Sequence, residues 1–293
     1  MEIPSYPQNR SLDISDKPLL DRLFVELQPR VSEMTFAGLF LFRAAHAYRL
    51  TMVQDAPVIL GTGYDGRPYF LPPLGGDVAG ALTILFGDRM ELYGADDVFM
   101  ESWLKTGGVE VTEYRDSFDY LYLRDELATL PGSRFHKKKN RINYFTNRHD
   151  ATVELFSDHH RQGCLALLDA WRAMAATNGN RSLNLELDAT KEALALAANL
   201  GLEGIVVTVA GEVKGFALGE RLNRDTAVCH FEKTDPFMEG LAQLINREFA
   251  ARLFQECRYI NREQDLGEPG LRNAKLSYHP VELVRKYRAT AIV

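Results

Sequence analysis

Short apolar runs of strand length alternate with longer runs of helical period along this chain, and that alternation limits the folds open to it. In the first half, 56–61, 68–71, 91–93, 109–114 and 120–123 read as strands, with 63–66 as a turn. Residues 77–86 and 96–104 read as helices between them. In the second half, 152–156, 205–209, 215–221 and 226–231 read as strands, with Gly211 and Glu212 as a hairpin turn. Helices are expected over 158–176, 188–201 and 238–254, the last carrying Leu241, Ile245, Phe249 and Leu253 at i, i+4 steps. Final strands are expected at 258–260 and 282–290. This order favours an α+β (mixed α/β) layered fold, and the rhythm shared by the halves hints at two related domains. Leu130, Pro131, Gly132 and Ser133 separate the halves. The expected division is therefore 1–130, a basic connecting helix over 131–150, and 151–293.

Composition removes several function classes. A formal net charge of -6 argues against a surface that coats nucleic acid as a whole, though one basic patch remains compatible with it. No run approaches the roughly 20 apolar residues that span a bilayer, and 1–15 lacks the charge-then-apolar plan of a signal peptide. The three cysteines, Cys164, Cys229 and Cys257, form no CxxC pair and fit a reduced, cytoplasmic setting. Serine-hydrolase, zinc-protease, P-loop and dinucleotide-binding motifs are absent. His160 and Cys164 stand at i, i+4, but no further ligands cluster in sequence, so no metal is expected there.

Three stretches carry chemistry. Residues 134–148 hold Arg134, Lys137, Lys138, Lys139, Arg141 and Arg148 without one acid. As a helix, Arg134, Lys137, Arg141 and Arg148 share a face. Such a run is either a solvated face or a seat for a polyanion, which would offset its self-repulsion. The junction 231–242 places Gly240 and Ala242 where GNAT-fold acyltransferases cradle a pyrophosphate, with Phe237 in the usual polar position. In Glu232-Lys233, at the end of a strand, at most one side chain faces a given cleft. The closing stretch 259–280 mixes Asp265, Arg272 and Lys275 with the turn formers Gly267, Pro269 and Gly270.

These stretches also carry a resemblance. Phe135-His136-Lys137-Lys138-Lys139-Asn140-Arg141-Ile142-Asn143, His230-Phe231-Glu232-Lys233 and Ile245-Asn246-Arg247-Glu248-Phe249 belong to it. So do Asn261 to Gly267 and Arg272 to Pro280. Together they resemble the C-terminal domain of phosphatidylglycerol lysyltransferase, a family related to the peptidoglycan-bridge aminoacyl-tRNA transferases. The resemblance implies two tandem GNAT-like domains, each a mixed, mostly antiparallel sheet flanked by helices. It implies transfer of an acyl or aminoacyl group from aminoacyl-tRNA or acyl-CoA to an amine or hydroxyl, without a tightly bound cofactor. It also implies a catalytic role for Lys275, with Tyr278 in the same motif.

On that basis Lys275 is expected to stabilise the developing oxyanion. Arg272 would hold a phosphate or carboxylate, and Asp265 would orient these cations or help deprotonate the acceptor. Lys137, Lys138, Arg141, Gly240 and Ala242 would bind the donor, while Glu232, Lys233 and Tyr278 line the cleft. The acceptor would be a small molecule, a peptide or a lipid headgroup. Three alternatives stay open: a buried ion-pair network of Asp265, Arg272 and Lys275, a non-catalytic binding protein on this scaffold, and an RNA binder using 134–148.

Overall fold

The computed structural model describes residues 2–63, 65–105, 107–176 and 181–292. Tyr64, in the turn expected at 63–66, lies outside the described residues. The strands are β1 (Arg10–Ser11), β2 (Arg49–Val53), β3 (Ala56–Thr62), β4 (Pro68–Phe70), β5 (Glu91–Ala95), β6 (Val109–Glu113) and β7 (Asp119–Leu123), then β8 (Ala151–Leu155), β9 (Glu203–Val209), β10 (Glu212–Arg221), β11 (Thr226–Thr234), β12 (Tyr259–Asn261), β13 (Glu282–Val284) and β14 (Tyr287–Ala291). The helices are α1 (Lys17–Leu27), α2 (Phe36–Leu41), α3 (Val78–Gly87), α4 (Asp97–Phe99), α5 (Arg124–Thr129), α6 (His136–Thr146), α7 (Arg161–Ala176), α8 (Arg181–Leu200), α9 (Leu241–Arg252) and α10 (Pro269–Leu276).

The strands form two seven-stranded sheets, ordered β1-β2-β3-β4-β5-β14-β6 and β13-β7-β12-β11-β10-β9-β8. Read from β8 toward β13, the second order repeats the first. In each sheet the fourth and fifth strands are parallel, β4 with β5 and β11 with β12, and a helix, α3 or α9, crosses between them. In each, an out-of-sequence strand is inserted between the fifth strand and the edge strand, β14 between β5 and β6 and β7 between β12 and β13. That inserted strand is exchanged: β14 enters the first sheet, and β7, which follows β6 in the chain, enters the second.

The chain accordingly divides into one compact unit of Met1–Tyr120, Gln264–Asn273 and Leu283–Val293, and another of Leu121–Glu263 and Ala274–Glu282. The expected division at 130 and 150 does not match these units. Residues 283–293 join the first because β14 pairs with both β5 and β6, and 264–273 join it through Asp265 and Arg272, which bond to Arg115, Tyr120 and Asp116. Residues 131–150 fall wholly within the second.

Local chemistry explains the elements. Asp77 starts α3 by accepting the Gly80 N–H at 2.9 Å. Val53, Val58, Phe70, Leu85 and Leu92 pack as the core of the first unit. In β9, consecutive Ile205, Val206 and Val207 are all buried, as in a strand covered on both faces. The expected apolar face of α9 is buried at Leu241, Ile245 and Phe249, each side chain stabilising by about 1.5–3 kcal/mol. The closing stretch departs from expectation. Pro269 and Gly270 do not hold a turn but open the helix α10, since proline fits the first helical turn, where its missing N–H has no partner to lose. The strand expected over 282–290 is two strands, β13 and β14, in different sheets.

Candidate functional site

In the second unit, β11 and β12 part company. They pair only from Thr226 to Val228 and from Tyr259 to Asn261, while β11 runs on to Thr234. On its other edge β11 carries a bulge: Leu218 pairs with Phe231 but Gly219 with Cys229, so His230 is the extra residue. A bulge of this kind re-aims side chains next to a gap in a sheet. Gly219 is required opposite it, because a Cβ there would collide with the Val228 carbonyl and the Phe249 ring.

Arg262, just beyond the end of β12, is the centre of the resulting cluster. Its Nη2 donates to Glu232 Oε2 at 2.8 Å, and its guanidinium lies 5.3 Å from the Tyr278 ring. With the Asn246 amide turned so that its oxygen faces the guanidinium, that oxygen also accepts from Arg262 Nη1 at 2.7 Å. Burial opposes the charge on Arg262, but Glu232 overrides it and the side chain stays a cation, 14% exposed. Lys138, on α6, also reaches Tyr278, its Nζ 3.9 Å from the ring centroid and 2.6 Å from Ser277 Oγ. Burial, then repulsion from Arg262 and Arg141, lowers the Lys138 ammonium to about 8. Arg141 is half in solvent, with Glu239 at 4.0 Å.

Lys275 lies at the end of α10 and is buried. Its Nζ donates to the backbone carbonyls of Arg262 at 2.6 Å and Glu263 at 3.1 Å. Tyr122 OH in turn donates to the Lys275 carbonyl at 2.8 Å. Lys275 thus clamps the turn that carries Arg262. Glu263 holds a left-handed backbone with φ 55°. Its N–H donates to Asn261 Oδ1 at 2.8 Å, and its carboxylate meets His230 Nδ1 at 2.8 Å. His230 Nε2 meets Glu220 at 2.9 Å. Burial alone would discharge this imidazole, but the hydrogen bonds to Glu220 and Glu263 raise it to about 10, so it is an imidazolium at neutral pH.

Asp265 and Arg272 belong to the first unit and form a separate network. Arg272 grips Asp265 in a fork, Nε to Oδ2 at 2.8 Å and Nη2 to Oδ1 at 2.7 Å, and its Nη2 also reaches Asp116 at 2.6 Å. Tyr120 OH, Arg115 at 3.2 Å and the Gly267 N–H at 2.9 Å complete the shell of the fully buried Asp265. Burial would raise this carboxyl, but these donors hold it well below the usual carboxylate range. A carboxylate so held is a poor base. Of the three charges expected to act together, only Lys275 stands beside Arg262.

The remaining expected residues divide. Glu232 and Tyr278 lie at the cluster. Lys233 points to the opposite face of β11, buried, bonded to Glu186 at 2.6 Å with Trp171 beside it. Lys137 is solvent-exposed on α6. Gly240 caps α9 in a left-handed conformation, φ 94°, against the Arg141 carbonyl, which leaves no room for a Cβ. Close packing of α6 therefore accounts for this glycine. Ala242 is half-buried in the first turn of α9. Arg262, His230, Glu220, Glu263 and Asn246 were not expected as site residues. Their partners are long-range; His230, Asn246, Arg262 and Glu263 fall in the stretches that carry the resemblance, which was the signal that could have flagged them.

A sheet of this order, repeated, defines a class: tandem GNAT-type folds. A tandem GNAT protein from the clavulanic acid biosynthesis pathway shares it at a TM-score of 0.51 and 10% identity, over 97% of this chain and 98% of that one. L-PGS from Bacillus licheniformis is similar at a TM-score of 0.64 and 15% identity, over 99% and 94%. A conserved protein of unknown function from Bacteroides thetaiotaomicron VPI-5482 is 30% identical, with a TM-score of 0.88 over 97% and 99%. The chain belongs to the family described as phosphatidylglycerol lysyltransferase, C-terminal, which it matches over residues 24–290. No curated protein matches it in sequence. Among the described residues, no helix is long and apolar enough to cross a membrane.

Proposed function

We propose that this chain is an acyl or aminoacyl transferase whose working face is the parting of β11 and β12. The observation that carries the proposal is Arg262, a nearly buried guanidinium held between Glu232, Asn246 and Tyr278, with Lys138 and Arg141 beside it. The donor would be aminoacyl-tRNA or acyl-CoA, whose phosphates suit the cations of α6. An amine or hydroxyl of the acceptor attacks the donor's ester or thioester carbonyl, and the bond to the tRNA hydroxyl or CoA thiol breaks. Negative charge gathers on the carbonyl oxygen in between, and a preorganised cation there lowers the barrier. Arg262 is best placed for that role. Lys138, depressed to about 8, is suited to take the acceptor's proton and return it to the leaving oxygen or sulfur. Lys275 acts by clamping the backbone of Arg262 and Glu263. Asp265 and Arg272 hold their own loop in the first unit.

The test is turnover of the purified chain with charged tRNA and with acyl-CoA, against a panel of amines and hydroxyl acceptors. Arg262→Ala should lower turnover by about 10²–10³-fold while the protein stays folded. A folded Arg262→Ala variant with wild-type turnover would refute the assignment. Phe237, 87% exposed on the loop before α9, favours a second reading, a binding protein without turnover. In that case tRNA or CoA would raise the melting temperature of the wild type and yet never be consumed.

A further inference from the structure

Glu154, His159 and His160 turn ligand-type atoms toward one another, all within 4.8 Å. Glu154 lies on β8, and the two histidines form the short turn Asp158–His160 that enters α7. β8 is the edge strand, separated from β11 by β9 and β10, so this group is distinct from the Arg262 face. His160 is 5% exposed, and its Nε2 has no hydrogen-bond partner. That atom stands 3.5 Å from Glu154 Oε2. The two imidazole rings lie 3.7 Å apart, centroid to centroid. A buried ring nitrogen without a partner costs about 1–3 kcal/mol, so its position between a carboxylate and a second imidazole calls for an explanation.

The opposite ring nitrogens are already occupied. Ser157 Oγ lies 2.8 Å from His159 Nδ1 and 3.3 Å from His160 Nδ1, and the Ser157 N–H donates to His160 Nδ1 at 3.2 Å. Both Nε2 atoms are left for another partner. Ligand atoms about 2.1 Å from a tetrahedral metal stand about 3.4 Å from each other. The separation of Glu154 and His160 is already close to that edge. Glu154 and His159 are exposed side chains, free to close the remaining distance.

We propose that Glu154, His159 and His160 bind a divalent first-row transition metal, with Zn²⁺ the best fit. Two imidazoles and one carboxylate suit such metals rather than Mg²⁺ or Ca²⁺, which prefer oxygen ligands. The positions not filled by protein stay open to water. Capture requires His160 to carry its proton on Nδ1. That proton is donated to Ser157 Oγ, the Ser157 N–H gives up its acceptor, and the Nε2 lone pair turns to the metal. A ligating histidine anchored through its other nitrogen is the usual arrangement. The metal would tie the edge strand β8 to the start of α7. Cys164, considered beside His160 from spacing alone, has no part in this group. The third ligand comes instead from the strand before the turn.

The experiment uses the full chain, free of affinity tag and stripped with chelator, titrated with Co²⁺ and then Zn²⁺. One Co²⁺ per chain should bind with visible absorption bands that Zn²⁺ abolishes by displacement, and Zn²⁺ should raise the melting temperature. Glu154→Gln and His159→Ala, both at exposed positions, should keep the wild-type circular dichroism and each weaken Zn²⁺ binding at least about tenfold. A stripped wild type that takes up no Co²⁺ overturns the proposal. So does either variant binding Zn²⁺ as tightly as the wild type.

Discussion

The charge on His230 should be visible as a pH-dependent stability. The imidazole sits between Glu220 and Glu263 and is raised from 6.5 to about 10. Below pH 6.5 the proton is bound in both folded and unfolded chains, and the full contribution is present. As pH rises from 6.5 toward 10, only the folded chain keeps the proton, so stability is lost across that window. At about 1.4 kcal/mol per unit, a shift of this size corresponds to at most about 5 kcal/mol. His230→Gln keeps a polar side chain of similar reach but removes the charge, leaving two carboxylates facing each other. Urea unfolding of the wild type and the variant, from about pH 6 to pH 10, gives the difference between them. Titrations of groups that do not touch His230 cancel in that difference, including Lys138, whose lowered value makes stability rise from about 8 to 10.5. The difference should be several kcal/mol near pH 6 and shrink as pH climbs. A difference that is flat with pH, or an imidazole titrating near 6.5 by nitrogen-detected NMR, would refute the sandwiched imidazolium.

Gly240→Ala should cost about 2 kcal/mol or more by denaturant unfolding, because it combines a left-handed backbone with a clash against the Arg141 carbonyl. Asp265→Asn should destabilise by about 2–3 kcal/mol, below the figure for a fully buried pair because Arg272 and Arg115 keep some contact with water. A loss under 0.5 kcal/mol would mean that the Asp265 network does not hold its loop. Binding of fluorescently labelled tRNA should weaken as pH rises through about 8, where Lys138 discharges, and Lys138→Arg should abolish that step.

The parts of this fold that are plain in sequence are those whose period is local. Ile205 to Val207, the i, i+4 face of α9 and the unrelieved positive charge of α6 all follow from neighbours in the chain. Helix α10 escaped because Gly267, Pro269 and Gly270 signal turns, while the helix-compatible place of a proline depends on where the helix begins. The exchange of β7 and β14 leaves no local trace, since alternation tells which face a strand buries but not which strand lies beside it. The site divides the same way. Lys138 and Arg141 stood out as charge, and Lys275 through its motif. Adjacent residues on a strand face opposite ways, and Glu232 and Lys233 do so. The sandwich of His230 joins residues 220, 230 and 263, a contact that only the bulge and the parting of β11 and β12 create.

The exchanged strands also bear on how the chain is made. β6 is synthesised early, yet its neighbour in the sheet is β14, the last strand. About 170 residues separate them, which at ordinary rates of translation is roughly 10–35 s. Throughout that interval the facing edges of β5 and β6 have no strand between them, and open edges invite pairing with other chains. Closure of the first sheet is therefore a late event, completed only after β14 has been made. Fragments cut near 130 or 150 should fare worse still: the first would lack β14 and the second β7, so neither sheet could be completed from its own half.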